Sequence, residues 1–187
     1  MATPKYVGKM AGKDFLNTQD FSQEEITEIL DAAVDLKKKF RKRQPTNYLP
    51  GRTLFMIFFN RSLRTRNSFE AGIYQLGGHG HFLSPSDLYT PTLPEDMVPY
   101  ATEAISDVSR VLSRYGDAIA IRIYGDPAKW TIGRGHRIIE EFAKWGDIPV
   151  LNMEDDLYHP FQALADIMAA REAEPKLQGK KFVVSYA

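Results

Sequence analysis

The chain has 187 residues, with 24 basic residues against 24 acidic ones, 43% hydrophobic residues and no cysteine. The balanced charge excludes a global nucleic-acid footprint, and the absence of cysteine excludes disulfides and thiolate metal sites. The hydrophobic share is too high for a disordered chain, no apolar run approaches the ~20 residues of a membrane span, and the first residues lack an apolar signal core; together these fit a soluble cytoplasmic protein that engages neither membrane nor nucleic acid.

In chain order, "FSQEEITEILDAAVDLKKKFRKR" predicts a helix. Ser22 and Glu25 form a capping-box pattern, and Ile26, Ile29, Leu30, Ala33 and Phe40 give one apolar stripe. The basic run from Lys37 to Arg43 suits the negative end of the helix dipole and reads as a solvated helix end. "TLFMIFF", residues 53–59, is a short apolar run rich in β formers and predicts a buried strand. "TRNSFEAGIYQLGG" has helical spacing through Phe69, Ile73 and Leu76, with Gly77 and Gly78 ending the helix. "HGHFLS" predicts a second strand. "SPSDLYTPTLPEDMVP" holds four prolines and predicts an irregular loop, of a length that is usually functional. "YATEAISDVSRVLSRYG" predicts a helix, "DAIAIRI" a third strand, "RGHRIIEEFAKWG" a helix and "IPVLNM" a fourth strand. "HPFQALADIMAAREAE" predicts a helix with proline in its first turn. A "PKLQGK" linker leads to a further strand, "KFVVSYA". Strand and helix alternate from residue 53 to 173, which predicts an α/β fold with a parallel sheet of about four strands and helices on both faces. Ligands of such folds bind beyond the carboxyl ends of the strands.

Three arginines, Arg61, Arg64 and Arg66, fall within six positions in "NRSLRTR", where the strand 53–59 ends and the next helix begins. A helix N-terminus offers unpaired N–H groups and a positive dipole end. Ser62 and Thr65 add hydroxyls, and a guanidinium fork matches phosphate oxygens. The expected ligand is therefore a phosphate, held without the glycine spacing of a P-loop. Two other strand ends carry polar groups. Arg122 closes "DAIAIR", while His159 and Gln162 open the helix that follows "IPVLNM". In a parallel sheet all of them reach the rim that carries Ser62, where they can stabilise negative charge developing on a carbonyl oxygen.

These residues resemble the aspartate and ornithine carbamoyltransferase family. Ser62-Leu63-Arg64-Thr65-Arg66 is similar to its Ser-x-Arg-Thr-Arg motif and His159-Pro160-Phe161-Gln162 to its His-Pro-x-Gln motif. The resemblance runs from about Lys13 to Ala187. "DFLNTQDFS", "YQLGGH" and "NME" look most like the N-acetylornithine carbamoyltransferases, with the N-succinylornithine enzymes next. It implies that Ser62, Leu63, Arg64 and Thr65 hold the phosphate of carbamoyl phosphate. It further implies that Arg122, His159 and Gln162 bind the carbamoyl carbonyl and act in catalysis, and that Glu154 contacts the amino-acid substrate. Loop 84–99 corresponds to a segment that reaches a neighbouring subunit's site in the family's homotrimer. Tyr89 or Thr90 stands there, where acetylornithine enzymes carry tryptophan, and Arg61 replaces a proline often found before the motif serine. The implied reaction is attack of a neutral δ-amine on the carbamoyl carbon, in arginine biosynthesis, with no metal or organic cofactor.

The resemblance also divides the chain. Residues 1–158 correspond to a carbamoyl-phosphate-binding domain, 159–178 to an interdomain helix and linker, and 179–187 to the first strand of a truncated amino-acid-binding domain. Two alternatives stay open at this level: an ornithine carbamoyltransferase, and a non-catalytic phosphate-binding or assembly module. Among the remaining candidates, Trp130 and Trp145 read as core residues. His79 and His81 lack a third ligand for a metal. Asp155 and Asp156 read as a solvated loop, and Tyr158 and Asp166 as neighbours of the His159–Gln162 turn.

Overall fold

The computed structural model describes residues 10–183 and 185. Helix α1 (Gln23–Arg41) opens with the expected capping box: Ser22 Oγ accepts from the Glu25 N–H at 3.2 Å, and the Glu25 carboxylate accepts from the Ser22 N–H at 2.9 Å. There follow β1 (Thr53–Phe58), α2 (Arg64–Gln75), β2 (His79–Leu83), β3 (Thr90–Thr92), β4 (Thr102–Ala104), α3 (Ile105–Tyr115), β5 (Ala118–Arg122), α4 (Arg134–Trp145), β6 (Val150–Glu154) and α5 (Pro160–Ala173). The main sheet has the order β2-β1-β5-β6, with every pair parallel. Parallel neighbours need long crossovers, and the helices supply them.

Alternation along β1 explains the two-sided core. Leu54, Met56 and Phe58 pack with Ile73 of α2, whereas Phe55 and Ile57 pack with Ile105, Ile138, Ile139 and Phe142 of α3 and α4. Each fully buried side chain of this size contributes about 1.5–3 kcal/mol. A third cluster joins Phe15, Leu30 and Leu164, and so seats α1 against α5. Phe15 also pairs in parallel with Leu151: its N–H donates to Val150 at 2.8 Å, and its carbonyl accepts from Asn152 at 2.9 Å. The segment before α1 thus lines the outer edge of β6, an arrangement that no periodicity announces.

The structure corrects several expectations. Segment 84–99 is not irregular. It contains two single 3-10 turns, Pro85–Asp87 and Pro94–Asp96, and β3, which pairs in parallel with β4. Leu93 is buried within it and acts as the anchor. Because Thr102–Ala104 pair with β3, α3 starts at Ile105 rather than near Tyr100. Trp130 is not a core residue: it is 79% exposed, and its backbone lies in the left-handed region at φ 51°. Asp155 is not in a solvated loop but buried. Residues 181–183 carry no strand, and the rest of the "KFVVSYA" strand at 184, 186 and 187 lies outside the described residues. No helix among the described residues is long and apolar enough to cross a membrane.

Candidate active site

The carboxyl ends of β1, β5 and β6 meet at one rim. β1 leads through residues 59–63 into α2, and Ser62 Oγ accepts the Thr65 N–H at 3.2 Å in the first turn. The tips of β1 and β5 are tied by Asn60, whose Nδ2 donates to the Tyr124 carbonyl at 3.0 Å and whose Oδ1 accepts the Tyr124 N–H at 2.8 Å. At the β6 side the register shifts: Ile121 pairs with Asn152, but Arg122 pairs with Glu154. Such irregularities re-aim side chains at strand ends. Here the shift sets a guanidinium opposite a carboxylate.

All seven residues expected around carbamoyl phosphate, Ser62, Leu63, Arg64, Thr65, Arg122, His159 and Gln162, line one cavity of about 470 Å³, as does Glu154. Arg122 is nearly buried. Its Nη1 donates to Glu154 and lies 3.4 Å from Thr65 Oγ1, and its Nη2 donates to the Tyr124 hydroxyl at 2.9 Å. The same Glu154 oxygen is 3.2 Å from His159 Nε2. Gln162 Nε2 donates to Asp166 Oδ1 at 2.8 Å, so Asp166 orients the amide. Arg122 Nε and His159 Nδ1 are buried without a hydrogen-bond partner in the protein. Such groups are costly unless a ligand or solvent completes them.

The electrostatics suit an anion. Arg61, Arg64 and Arg122 face the cavity against the single carboxylate Glu154. Burial pulls the His159 pKa below the ordinary histidine value; Arg122 adds to this, and Glu154 and Asp166 oppose it. The imidazole is therefore neutral near pH 7. Three positive charges less one negative leave two in excess, which matches a dianion.

Other sequence expectations fall elsewhere. Arg66 does not line this cavity; its guanidinium stacks on Phe82 at 3.7 Å and lies 3.6 Å from Glu70. Tyr89 is exposed, and Thr90 Oγ1 donates to the Pro85 carbonyl, so neither belongs to the cavity of its own chain. Asn60, Tyr124 and Phe161 were not singled out as site residues. Phe161 lies inside the His-Pro-x-Gln stretch, and Asn60 directly precedes the arginine cluster. Tyr124, two positions beyond Arg122, had no signal but that spacing.

A cationic cavity at the carboxyl rim of a parallel α/β sheet defines an anion-binding α/β domain. The family profile that matches residues 13–172 is described as the aspartate/ornithine carbamoyltransferase, carbamoyl-P binding domain. The chain belongs to that family. It is 43% identical over 172 residues to the ornithine carbamoyltransferase of Halalkalibacterium halodurans, covering 92% of this chain and 48% of that protein. It is 39% identical over 182 residues to the N-acetylornithine carbamoyltransferase of Xanthomonas campestris, covering 95% and 52%. Among solved structures, a variant of N-acetyl-L-ornithine transcarbamylase complexed with carbamyl phosphate and N-succinyl-L-norvaline superposes with a TM-score of 0.79 at 38% identity, covering 90% of this chain and 51% of that one. The chain thus spans about half the length of the curated relatives it matches.

Proposed function

We propose that this chain is the carbamoyl-phosphate-binding part of a carbamoyltransferase that carries the carbamoyl group to the δ-amine of N-acetylornithine or a related ornithine derivative. One observation carries the reading: residues from three separate strand tips line a single cavity whose excess charge matches carbamoyl phosphate. Residues 1–158 serve as the carbamoyl-phosphate domain, 159–178 as the connection, and 179–187 lead toward an acceptor-binding half. Glu154 meets the acceptor, and Tyr89 or Thr90 meets a neighbouring copy in a trimer.

The chemistry follows from the arrangement. Ser62 to Thr65 hold the phosphate, and Arg122 bridges phosphate and carbonyl. A neutral amine attacks the carbamoyl carbon. Negative charge develops on the carbonyl oxygen, where Arg122, His159 and Gln162 stabilise it. The tetrahedral adduct collapses, the carbon–oxygen bond to phosphate breaks with its electron pair leaving on phosphate, and the amine's proton passes to the departing phosphate to give a ureido product. Positioning and oxyanion stabilisation suffice, since each donor of this kind is worth about 10²- to 10³-fold in rate.

A second acceptor, ornithine itself, is favoured by the 43% identity to an ornithine carbamoyltransferase. Colorimetric detection of the ureido product, with the full-length protein, carbamoyl phosphate and either ornithine, N-acetylornithine or N-succinylornithine, tests both. Product with an N-acylated acceptor is expected. Product with ornithine alone assigns the second reading, and no product with any of the three refutes the function.

A further inference from the structure

Among the described residues two charged residues are buried, Arg122 and Asp155. The first lies in the candidate active site; the second does not line it. An ionised carboxylate out of water is costly unless it is well paired, so the partners of Asp155 indicate what it is for. Oδ1 accepts the N–H groups of Leu157 and Tyr158, both at 2.6 Å, and Oδ2 accepts from Asn152 Nδ2 at 2.8 Å and pairs with His136 Nδ1 at 2.7 Å. The Asp155 N–H donates in turn to the Tyr158 carbonyl at 2.9 Å.

These bonds tie down the four residues that join Glu154 to His159. His136 stands in the first turn of α4, and its backbone N–H donates to Asp156 Oδ1 at 3.1 Å while its ring meets Tyr158 edge-on at 4.9 Å. Approach is so close that a Cβ on Gly135 would fall 2.8 Å from Asp156 Oδ1. Helix α4 is a rigid neighbour, packed through Ile138, Ile139 and Phe142 into the sheet. The turn that leads to His159 is therefore fixed to α4 by the His136–Asp155 imidazole–carboxylate pair, backed by the His136 N–H on Asp156 and by the Asn152 amide on Asp155.

We propose that His136 and Asp155 are positioning residues for carbamoyl transfer, holding the 155–158 turn so that His159 stays against the carbonyl of carbamoyl phosphate. This rests on the carbamoyltransferase reading. The phosphate-binding turn, Ser62 to Thr65, lies on a different strand tip, and neither His136 nor Asp155 lines its cavity.

The test uses the full-length protein, with kcat and inorganic-phosphate affinity measured on the same variants. His136→Leu lowers kcat roughly 10- to 100-fold, as expected of a small misplacement, with phosphate affinity unchanged. His136→Asn, whose amide can donate from near the Nδ1 position, recovers most of the loss. In a His159→Ala background, His136→Leu lowers kcat by no more than about threefold further, because the pair acts through His159. Equal losses in both backgrounds, or phosphate affinity falling in step with kcat, overturn the proposal. If His136→Leu does not fold, His136→Gln takes its place, and wild-type kcat in that variant overturns the proposal too. A wild type that shows no carbamoyl transfer at all removes the underlying reading as well, an outcome distinct from an active enzyme with additive losses.

Discussion

Arg122 donates to Glu154 across the shifted end of the β5–β6 ladder, and the same carboxylate oxygen stands 3.2 Å from His159. One acidic side chain thereby spans two of the groups assigned to the carbamoyl carbonyl. An incoming dianion has to compete with it for Arg122. Glu154→Gln is expected to raise affinity for carbamoyl phosphate by about tenfold, or about 1.4 kcal/mol, as seen by calorimetry. The same substitution lowers the melting temperature, since a nearly buried guanidinium loses its counter-charge. Affinity that falls in the variant removes Glu154 as a competitor.

Arg64 has a simpler position. It opens α2, lines the cavity, and supplies a planar donor fork at the positive end of the helix dipole. Arg64→Ala is expected to weaken carbamoyl-phosphate binding about 100-fold or more, a loss of about 2.7 kcal/mol, with the fold retained because the side chain is exposed. Unchanged affinity by calorimetry refutes the phosphate assignment.

His159 sets a pH dependence whose sign can be worked out. Burial lowers its pKa in the folded chain below the unfolded value of about 6.5. Between those two values the unfolded chain holds more protons than the folded one, so stability decreases as pH falls through that window and levels off below it. Above pH ~6.5 both states are neutral at this site and the contribution vanishes. Urea unfolding between pH 5 and 7.5 should show a shallower acid-side decline in His159→Gln than in the wild type. The kcat of the full-length protein should likewise fall on the acid side as the imidazole charges. Identical slopes in the two proteins dismiss His159 as the titrating group.

Ser22→Ala offers a control remote from the cavity. The variant removes the hydroxyl half of the capping box on α1, worth about 1 kcal/mol. Urea midpoints should move accordingly while phosphate affinity does not. A coupled loss of binding implies that α1 and its contact with α5 transmit to the site.

Much of this architecture was legible in the residues themselves. The alternation in "TLFMIFF" and the stripes on the helices follow from burial, and the arginine cluster could be placed at a strand end because the preceding run was apolar. Segment 84–99 was misread because proline was taken as a breaker. Yet Pro91 sits within a short strand whose partner residues lie twelve positions on, and periodicity cannot see such pairing. Asp155 was misread because adjacent acids usually face water. Nothing nearby in sequence announces that His136 and two backbone N–H groups will surround it. The pairing of Phe15 with Leu151 is likewise a contact of distant segments, absent from any local pattern.

Phe161 stands edge-on between Phe69 of α2, at 4.8 Å, and Phe15, at 5.2 Å. Helix α2 and the first turn of α5, which carry two parts of the site, are thus spaced by aromatic rings. Ionic strength should consequently act on encounter and not on alignment. Added salt will raise the KM of the full-length protein for carbamoyl phosphate by shielding the rim guanidinium groups, whereas kcat, which depends on this aromatic spacing and on the buried His136–Asp155 pair, should remain nearly constant across the same titration.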